Sequence, residues 1–117
     1  MDVVHDLEGE AARTLATDVD IADDLLSKAI GLMGKSSLPD GYGLVFRFSG
    51  VGRRSVHMLF VRTAIDVLWL VDGRVERVET LPAWRGFGIA AADTLVELPQ
   101  GAAEGVEVGD RVRIVGD

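Results

Sequence analysis

Asp66 has the clearest potential for acid–base chemistry, because it lies inside the longest apolar stretch of the chain, residues 55–71 (S-V-H-M-L-F-V-R-T-A-I-D-V-L-W-L-V). So many β-branched and aromatic residues predict two successive strands that are buried on both faces. Alternation places Asp66 on the same face as Leu68 and Leu70. Burial raises the pKa of a carboxyl group that lacks donors, which would suit a general acid or base. The alternative is a structural cap, in which Asp66 accepts backbone N–H groups from the turn at 62–65.

His57 is the second candidate, and its predicted position argues against a direct His–Asp pair. If the stretch folds as one hairpin with a tight connection at Thr63–Ala64, His57 lies about 13 Å from Asp66 at the rise of a strand. His5 belongs to a distant segment and adds no metal-ligand spacing. We therefore predict that the His57 ring packs against a buried wall. We expect no metal and no cofactor, and the balance favours a protein that is not an enzyme.

Two further segments carry arginines and aromatic residues. Residues 49–55 (S-G-V-G-R-R-S) predict a mobile loop whose adjacent arginines either grip an anion or face solvent. Residues 81–93 (L-P-A-W-R-G-F-G-I-A-A-A-D) predict a long irregular connection that covers an open end of the core, lines a pocket or forms an interface. The candidate ligand-binding surface is lined by His57, Asp66, Trp84 and Arg85, with Arg53 and Arg54 at its rim.

Composition limits the classes of function. The 117 residues predict one domain spanning 1–117. The chain has no cysteine, which excludes disulfides, thiolate metal sites and cysteine nucleophiles. A net charge of −7 disfavours nucleic acid and anionic membranes as partners. With Lys28 and Lys35 as its only lysines, the acidic composition also suits a halophilic source.

The N-terminus, M-D-V-V-H-D, lacks the basic and apolar regions of a signal peptide, and polar residues interrupt the longest apolar run. We therefore expect a cytoplasmic protein without a membrane-spanning helix.

The residue periodicity predicts a mainly β fold of the α+β class. A hairpin is expected between Val3–Val4 and Arg13–Ala16, and Asp72–Gly73 favours a two-residue hairpin turn. One helix is predicted over about 21–33, with Asp20 as its N-cap. Further strands are expected at 43–48, 74–80 and 94–98, followed by an alternating pair in the tail from Val106 to Ile114. The predicted architecture is a compact antiparallel β-sandwich or barrel-like sheet with the helix packed against it.

Several short motifs, each weak alone, occur in an order that resembles the family known as domain of unknown function 192. They are G-L-M-G-K at 31–35, Leu38-Pro39, G-L-V-F at 43–46, His57-Met58, Thr63, I-D-V-L-W at 65–69, V-E-L-P-Q-G at 96–101 and G-V-E-V-G-D at 105–110. The resemblance covers nearly the whole chain and implies a compact β-rich domain with a packed helix, and no established activity. Two departures stand out: His57 replaces the family's usual tryptophan, and Val61-Arg62 replaces a common lysine–asparagine pair.

Three hypotheses of function follow from these residues. The favoured one is a small-molecule-binding or interaction module without a catalytic constellation, whose partner is an unknown small molecule or protein. The second is a hydrolase-like acid–base enzyme that uses Asp66. The third is a homo-oligomeric scaffold that associates through residues 81–92. We expect a monomer or a weak homo-oligomer.

Overall fold

The computed structural model describes residues 1–22, 37–58 and 61–116. These residues form eight β-strands, most of which alternate apolar and polar side chains. The strands are β1 (Asp2–Asp6), β2 (Arg13–Ala16), β3 (Asp18–Ala22), β4 (Tyr42–His57), β5 (Ile65–Val71), β6 (Arg74–Leu81), β7 (Phe87–Pro99) and β8 (Arg111–Val115). They form one mixed sheet in the order β2-β1-β8-β6-β5-β7-β4-β3. The predicted β-rich fold is thus confirmed, and the described residues include no helix that could span a membrane.

One strand pair departs from the antiparallel arrangement that we expected. β3 runs parallel to β4, with Asp20 opposite Leu44, whereas the other pairs in the sheet are antiparallel. A parallel pair requires a long crossover. That crossover falls between Ala22 and Tyr42, and it includes residues 23–36, which the structure does not describe.

The predicted start of the helix is wrong, because Asp20 and Ile21 lie in β3. Val19 and Ile21 alternate with acidic residues and pack against the core, which is the period of a strand and not of a helix. The N-cap signal of Asp20 and the alternation of Val19 and Ile21 predict different structures, and the alternation prevails because it buries both apolar side chains. The remainder of the predicted helix, residues 23–33, lies outside the described residues.

β5 lies at the centre of the sheet and is buried on both of its faces, as its uniformly apolar sequence predicts. One face contributes to what we call the first core, and the other face contributes to the second core. The first core contains Leu44, Phe46, Val56, Met58, Val61, Ile65, Val67, Trp69, Leu81, Ala92 and Leu95. The second core contains Val3, Leu15, Ala16, Val45, Leu68, Leu70, Val75, Val96, Leu98, Ala103, Val106 and Val112.

The predicted hairpin within residues 55–71 is wrong. β7 lies between β4 and β5, and it pairs with both of them. The turn signal that does hold is Asp72–Gly73, where φ angles of 50° and 77° fit a type I′ turn joining β5 to β6. The connection at Thr63–Ala64 has no glycine to take positive φ, and it leads to a strand that is not the neighbour of β4.

The loop predicted at 49–55 is wrong as well, because those residues belong to the long strand β4. The register of β4 against β7 shifts between Arg47 and Gly52, as in a bulge, and pairing resumes with Gly52 opposite Ala92. The two glycines that suggested a loop mark this irregularity instead. The outer half of the β4–β7 pair, residues 52–57 and 87–92, is called the ribbon below.

The irregular segment predicted at 81–93 is much shorter in the structure. Leu81 ends β6 and Phe87 begins β7, so only residues 82–86 form a turn. Gly88 belongs to the ribbon, and a Cβ atom built on it would lie 2.5 Å from Cη2 of the Trp69 side chain on β5. The ribbon therefore folds over the first-core face of β5, and the small residues of 86–92 permit this close approach.

The N-terminal hairpin is confirmed, and it also links both ends of the sheet. β1 pairs antiparallel with β2, and Thr17 alone separates β2 from β3. The segment Arg13–Ala22 therefore pairs at one end with β1 and at the other with β4. A Cβ on Gly43 would lie 3.0 Å from Cβ of Ala16, so the two ends of the strand order meet.

The predicted pair of strands in the tail is only half correct. β8 is a strand, but its neighbours are β1 and β6, and residues 100–110 form turns. Val106 is buried in the second core without belonging to a strand, which is why its apolar character suggested one.

We expect Gly88→Ala to destabilise the fold by about 1–3 kcal/mol, the usual cost of overpacking a core. The added methyl group would overlap Trp69, and the indole is fully buried with no room to retreat. Urea denaturation followed by circular dichroism measures the change. Gly50→Ala is the matched control, because a Cβ there meets no atom within 4 Å. Equal stability of the two variants would contradict the proposed close approach.

Candidate functional site

Asp66 is buried on β5 and binds three donors from outside its own strand. The Thr80 hydroxyl donates to Oδ1 at 2.6 Å, and the backbone N–H groups of Gly101 and Ala103 donate to Oδ2 at 3.0 and 2.9 Å. The expected role as an acceptor of backbone N–H groups is correct in kind. The donors differ from the predicted turn at 62–65, because they come from the loop that follows β7, which is distant in sequence.

These bonds fix the loop after β7 to the centre of the sheet. The loop is a series of tight turns, in which Ala102 N–H donates to Pro99 O, Glu104 N–H to Gly101 O and Val106 N–H to Ala103 O. A buried carboxylate that accepts backbone N–H groups compensates for their loss of water. Asp66 is therefore the side chain that holds the loop in place.

A cleft of about 360 Å³ opens beside Asp66, between the end of β6 and this loop. Its lining residues are Asp66, Val78, Glu79, Thr80, Gln100, Gly101, Ala103 and Glu104. Three of the eight are acidic and none is basic. The Glu79 carboxylate pairs with Arg77 on the first-core side of β6, where Oε2 would lie 3.5 Å from a Cβ atom at Gly88, so the charge of the cleft comes from Asp66 and Glu104. Arg13 donates to the backbone carbonyl of Glu104 and lies near the cleft without lining it.

The cleft has the composition of a binding site for a small polar cation. Asp66 has about four lone-pair sites and uses three of them, so it presents negative charge in a fixed geometry. Thr80 and Gln100 add groups that can orient a ligand, and Val78 and Ala103 supply an apolar wall. The described residues include no group of three or more His, Asp or Glu side chains that could hold a metal ion.

His57, Trp84 and Arg85 lie in a different place from Asp66. His57 is exposed at the end of β4, opposite Phe87, so the prediction of a buried histidine ring is wrong. Trp84 and Arg85 are exposed in the turn 82–86 just before Phe87. The neighbours Val56 and Met58 enter the first core, so alternation turns the His57 side chain outwards.

Asp66 and these three residues lie on opposite sides of the central strand. Asp66 lies on the second-core side of β5, whereas the ribbon covers its first-core side. The six predicted site residues therefore do not form one surface. Asp66 belongs to the cleft. His57 lies on the outside of the ribbon, and Trp84 and Arg85 lie in the adjoining turn 82–86.

Arg54 has a structural role and does not form the anion grip that we considered. Its Nε donates to Ala92 O at 3.2 Å and its Nη2 to Gly50 O at 2.8 Å, and the guanidinium lies 3.9 Å from the centre of the Phe48 ring. It thus bridges β4 and β7 beside the bulge. Arg53 points the other way and is exposed opposite Ala91.

Glu97 is a buried carboxyl group that we did not include among the site candidates. It lies on β7 between Leu44 and Val67 of the adjacent strands, and burial raises its pKa to about 7. Alternation with the second-core residue Val96 places Glu97 on the first-core face. The alternation within the predicted strand at 94–98 already places Glu97 on the same face as Leu95.

Tyr42 of β4 lies near Glu97 of β7, on the same face of the sheet. Its hydroxyl donates to Asp20 Oδ2 at 3.2 Å, and burial together with the adjacent carboxylates raises its pKa to about 12. Glu97 is one of the charges that contribute to this shift. These groups lie across the sheet from the cleft at Asp66.

His5 forms a second polar contact inside the fold. Its Nε2 lies 2.8 Å from Asp110 Oδ2, and the ring is almost fully buried. Asp110 also accepts the Glu107 N–H, and these two donors hold its pKa below the usual range. Nδ1 of His5 has no hydrogen-bond partner among the described residues. The contact ties β1 to the turn before β8.

We expect Asp66→Asn to lower the free energy of unfolding by about 1–3 kcal/mol, because the three hydrogen bonds lose their charged acceptor. Both loop N–H groups donate to Oδ2, so an amide that keeps them with its carbonyl oxygen places its NH₂ group against the Thr80 hydroxyl, which must then accept instead of donate. Urea denaturation measures the effect. Glu104→Gln is the control in the same cleft, because its side chain is exposed and should change stability by no more than about 0.5 kcal/mol.

Glu97 should make the fold less stable as the pH rises. Burial raises its pKa from the ordinary value of 4.5 to about 7 in the folded state, so the unfolded chain loses this proton at lower pH. The contribution of Glu97 to the free energy of unfolding is fully present below pH 4.5, where the carboxyl is protonated in both states. The free energy of unfolding then falls by about 3 kcal/mol as the pH rises to 7. Asp6 and Asp110 have lowered pKa values, so their contributions are lost only at more acidic pH.

The variant Glu97→Gln tests this assignment. It should flatten the dependence of unfolding free energy on pH across that window and should be more stable than the parent at about pH 8. Glu76→Gln, at an exposed position, should keep the parental slope. A parental slope in Glu97→Gln would assign the pH dependence to another group.

The sequence of this chain is similar to a known protein family and to one of its named members. The model of the family DUF192, described as uncharacterized ACR, matches residues 7–114. A UPF0127 protein of Pyrococcus furiosus is 35% identical over 106 residues, which cover 86% of this chain and 89% of that protein.

Two crystal structures share the fold. One is a "putative transcription regulator" of Sinorhizobium meliloti 1021, with a TM-score of 0.81, 21% identity, and coverage of 96% of this chain and 91% of that one. The other is a protein of unknown function from Novosphingobium aromaticivorans DSM 12444, with a TM-score of 0.77, 20% identity, and coverage of 97% and 84%. At these identities the likeness concerns the fold alone.

Proposed function

Because the chain belongs to the DUF192 family, whose members are uncharacterised, we propose its function from its own cleft: it is a binding module for small organic cations. The observation that carries this proposal is the cleft of about 360 Å³ whose lining contains three acidic residues and no basic one. Such a volume lies within the range of small-molecule sites.

The chemistry of the lining favours an amine-bearing ligand. A positive group between Asp66 and Glu104 would gain Coulomb energy in a partly dry environment, where charges interact more strongly than in bulk water. The aliphatic part of the ligand would contact Val78 and Ala103. Because Asp66 is held by three donors, the site needs little reorganisation when a ligand enters.

Two other hypotheses receive less support from this geometry. An acid–base enzyme would have to use Asp66 while three donors already occupy its oxygens, and no histidine lines the cleft. Binding of nucleic acid is suggested by the name of the Sinorhizobium meliloti protein. A cleft without basic lining residues and a chain of net charge −7 do not favour phosphate.

Amide chemical-shift mapping with a panel of primary and quaternary amines, amino sugars and matched carboxylic acids tests the proposal. We expect amines to shift the amides of Thr80, Gly101 and Ala103 in a saturable way, and acids to shift none of them. The variant Glu104→Gln should weaken binding severalfold, up to about tenfold, since this charge lies close to solvent. Glu76→Gln, which lies on β6 outside the cleft, is the matched control.

The proposal fails if no amine shifts these amides, or if the Glu104→Gln variant binds as tightly as the control. Shifts caused by the carboxylic acids alone would also contradict the proposal, because they would show that the site prefers anions.

A further inference from the structure

The charges of this acidic chain are strongly segregated. Segments 41–65 and 80–92 contain five arginines and no aspartate or glutamate. The other 79 residues contain all 19 acidic residues and the remaining seven basic ones. The two parts therefore carry formal charges of +5 and −12, although their sum is −7. We call the ribbon and the turn 82–86 the cationic pole, because Arg53, Arg54 and Arg85 lie there without an aspartate or glutamate, and we call the rest of the protein the anionic body.

The fold brings these two segments together. They contribute the two strands of the ribbon, in which Arg53, Ser55 and His57 stand opposite Ala91, Ile89 and Phe87. The side chains of the first strand at these positions are exposed, and Phe87 is 59% exposed. The outward face of the ribbon thus presents one polar, cationic row beside one apolar row. No acidic residue belongs to either row.

The turn 82–86 extends this face with Trp84 and Arg85. Trp84 is 50% exposed although it has a positive φ of 67°, an uncommon conformation for a bulky residue. Its N–H donates to Val61 O at 3.0 Å, and Gly86 N–H donates to Pro82 O at 3.0 Å. The turn is thereby fixed, and it holds a large aromatic side chain at the surface beside a cation.

We propose that this outward face, formed by Arg53, His57, Trp84, Arg85, Phe87 and Ile89, docks an acidic peptide segment that also carries apolar side chains. Carboxylates of the peptide pair with Arg53 and Arg85, and its apolar side chains contact the row from Phe87 to Ile89. Large aromatic side chains and arginine are the residue types that most often anchor protein interfaces.

Charge geometry favours a short acidic segment over a nucleic acid. A polyanion extends along its backbone and would meet the anionic body once it left the small cationic pole. A short acidic peptide can place a few carboxylates on the cationic pole without extending over the anionic body. Arg54 also adds little to phosphate binding, since its guanidinium is bonded to Ala92 O and Gly50 O.

Fluorescence anisotropy with a fluorescein-labelled peptide of alternating glutamate and leucine tests the proposal. We expect saturable binding that weakens as salt is added. The double variant Arg53→Glu/Arg85→Glu should lower the affinity by roughly tenfold or more, the scale expected for two reversed exposed charges. Arg74→Glu, an exposed reversal on the anionic body, is the matched control and should retain binding. Near-ultraviolet circular dichroism of the buried Trp69 verifies that each variant is folded.

Three outcomes would overturn the proposal. The first is equal affinity of the double variant and the control, or no binding of the peptide by the parent. The second is tighter binding of a mixed-sequence single-stranded DNA oligonucleotide, which would assign the face to nucleic acid. The third is self-association in sedimentation that the double variant abolishes, which would assign the face to a second copy of the chain. Glu104→Gln in the cleft should leave peptide binding unchanged, so this test is independent of the amine-binding proposal.

Discussion

The contact between Trp69 and Gly88 determines how the ribbon packs against the central strand. Trp69 is fully buried on the central strand, and its ring occupies the space that a side chain at position 88 would need. The indole Nε1 also donates to Arg54 O at 2.9 Å, so the ring is bonded to one strand of the ribbon while it packs on the other. This contact holds the ribbon over the first core, and the outward face of the ribbon exists only because of it.

The local features of the fold could be predicted from the sequence, whereas the choice of neighbours could not. β5 was predicted from a sequence that is apolar except for Asp66, and the turn at Asp72–Gly73 from the preference of these residues for positive φ. The insertion of β7 between β4 and β5 depends on contacts far apart in sequence. Apolar alternation specifies which face of a strand is buried, but it does not identify the strand alongside.

The same limit explains the outcome for the candidate site. Asp66 was identified because a carboxylate inside an apolar strand needs donors, and the structure supplies them from Thr80 and the loop at 101–103. Those donors could not be predicted, since Thr80 and the loop at 101–103 both lie far from Asp66 in sequence. A hairpin assumed within the apolar stretch made His57 face the core, yet Val56 and Met58 enter the first core and turn it outwards. The alternation of residues 55–58 already indicates this orientation, so the error came from the predicted pairing of the strands.

The two faces of β5 therefore support two different kinds of surface. On one side, Asp66 orders a loop and borders an acidic cleft. On the other side, Trp69 positions a ribbon whose outer face carries arginines and aromatic residues and no acid. Because the strand that separates them is apolar and packed on both faces, neither surface can be altered at its base without disturbing a core. Substitutions at the rims, such as Glu104 and Arg85, change one charge pattern without the other, since both side chains are exposed on opposite sides of the fold.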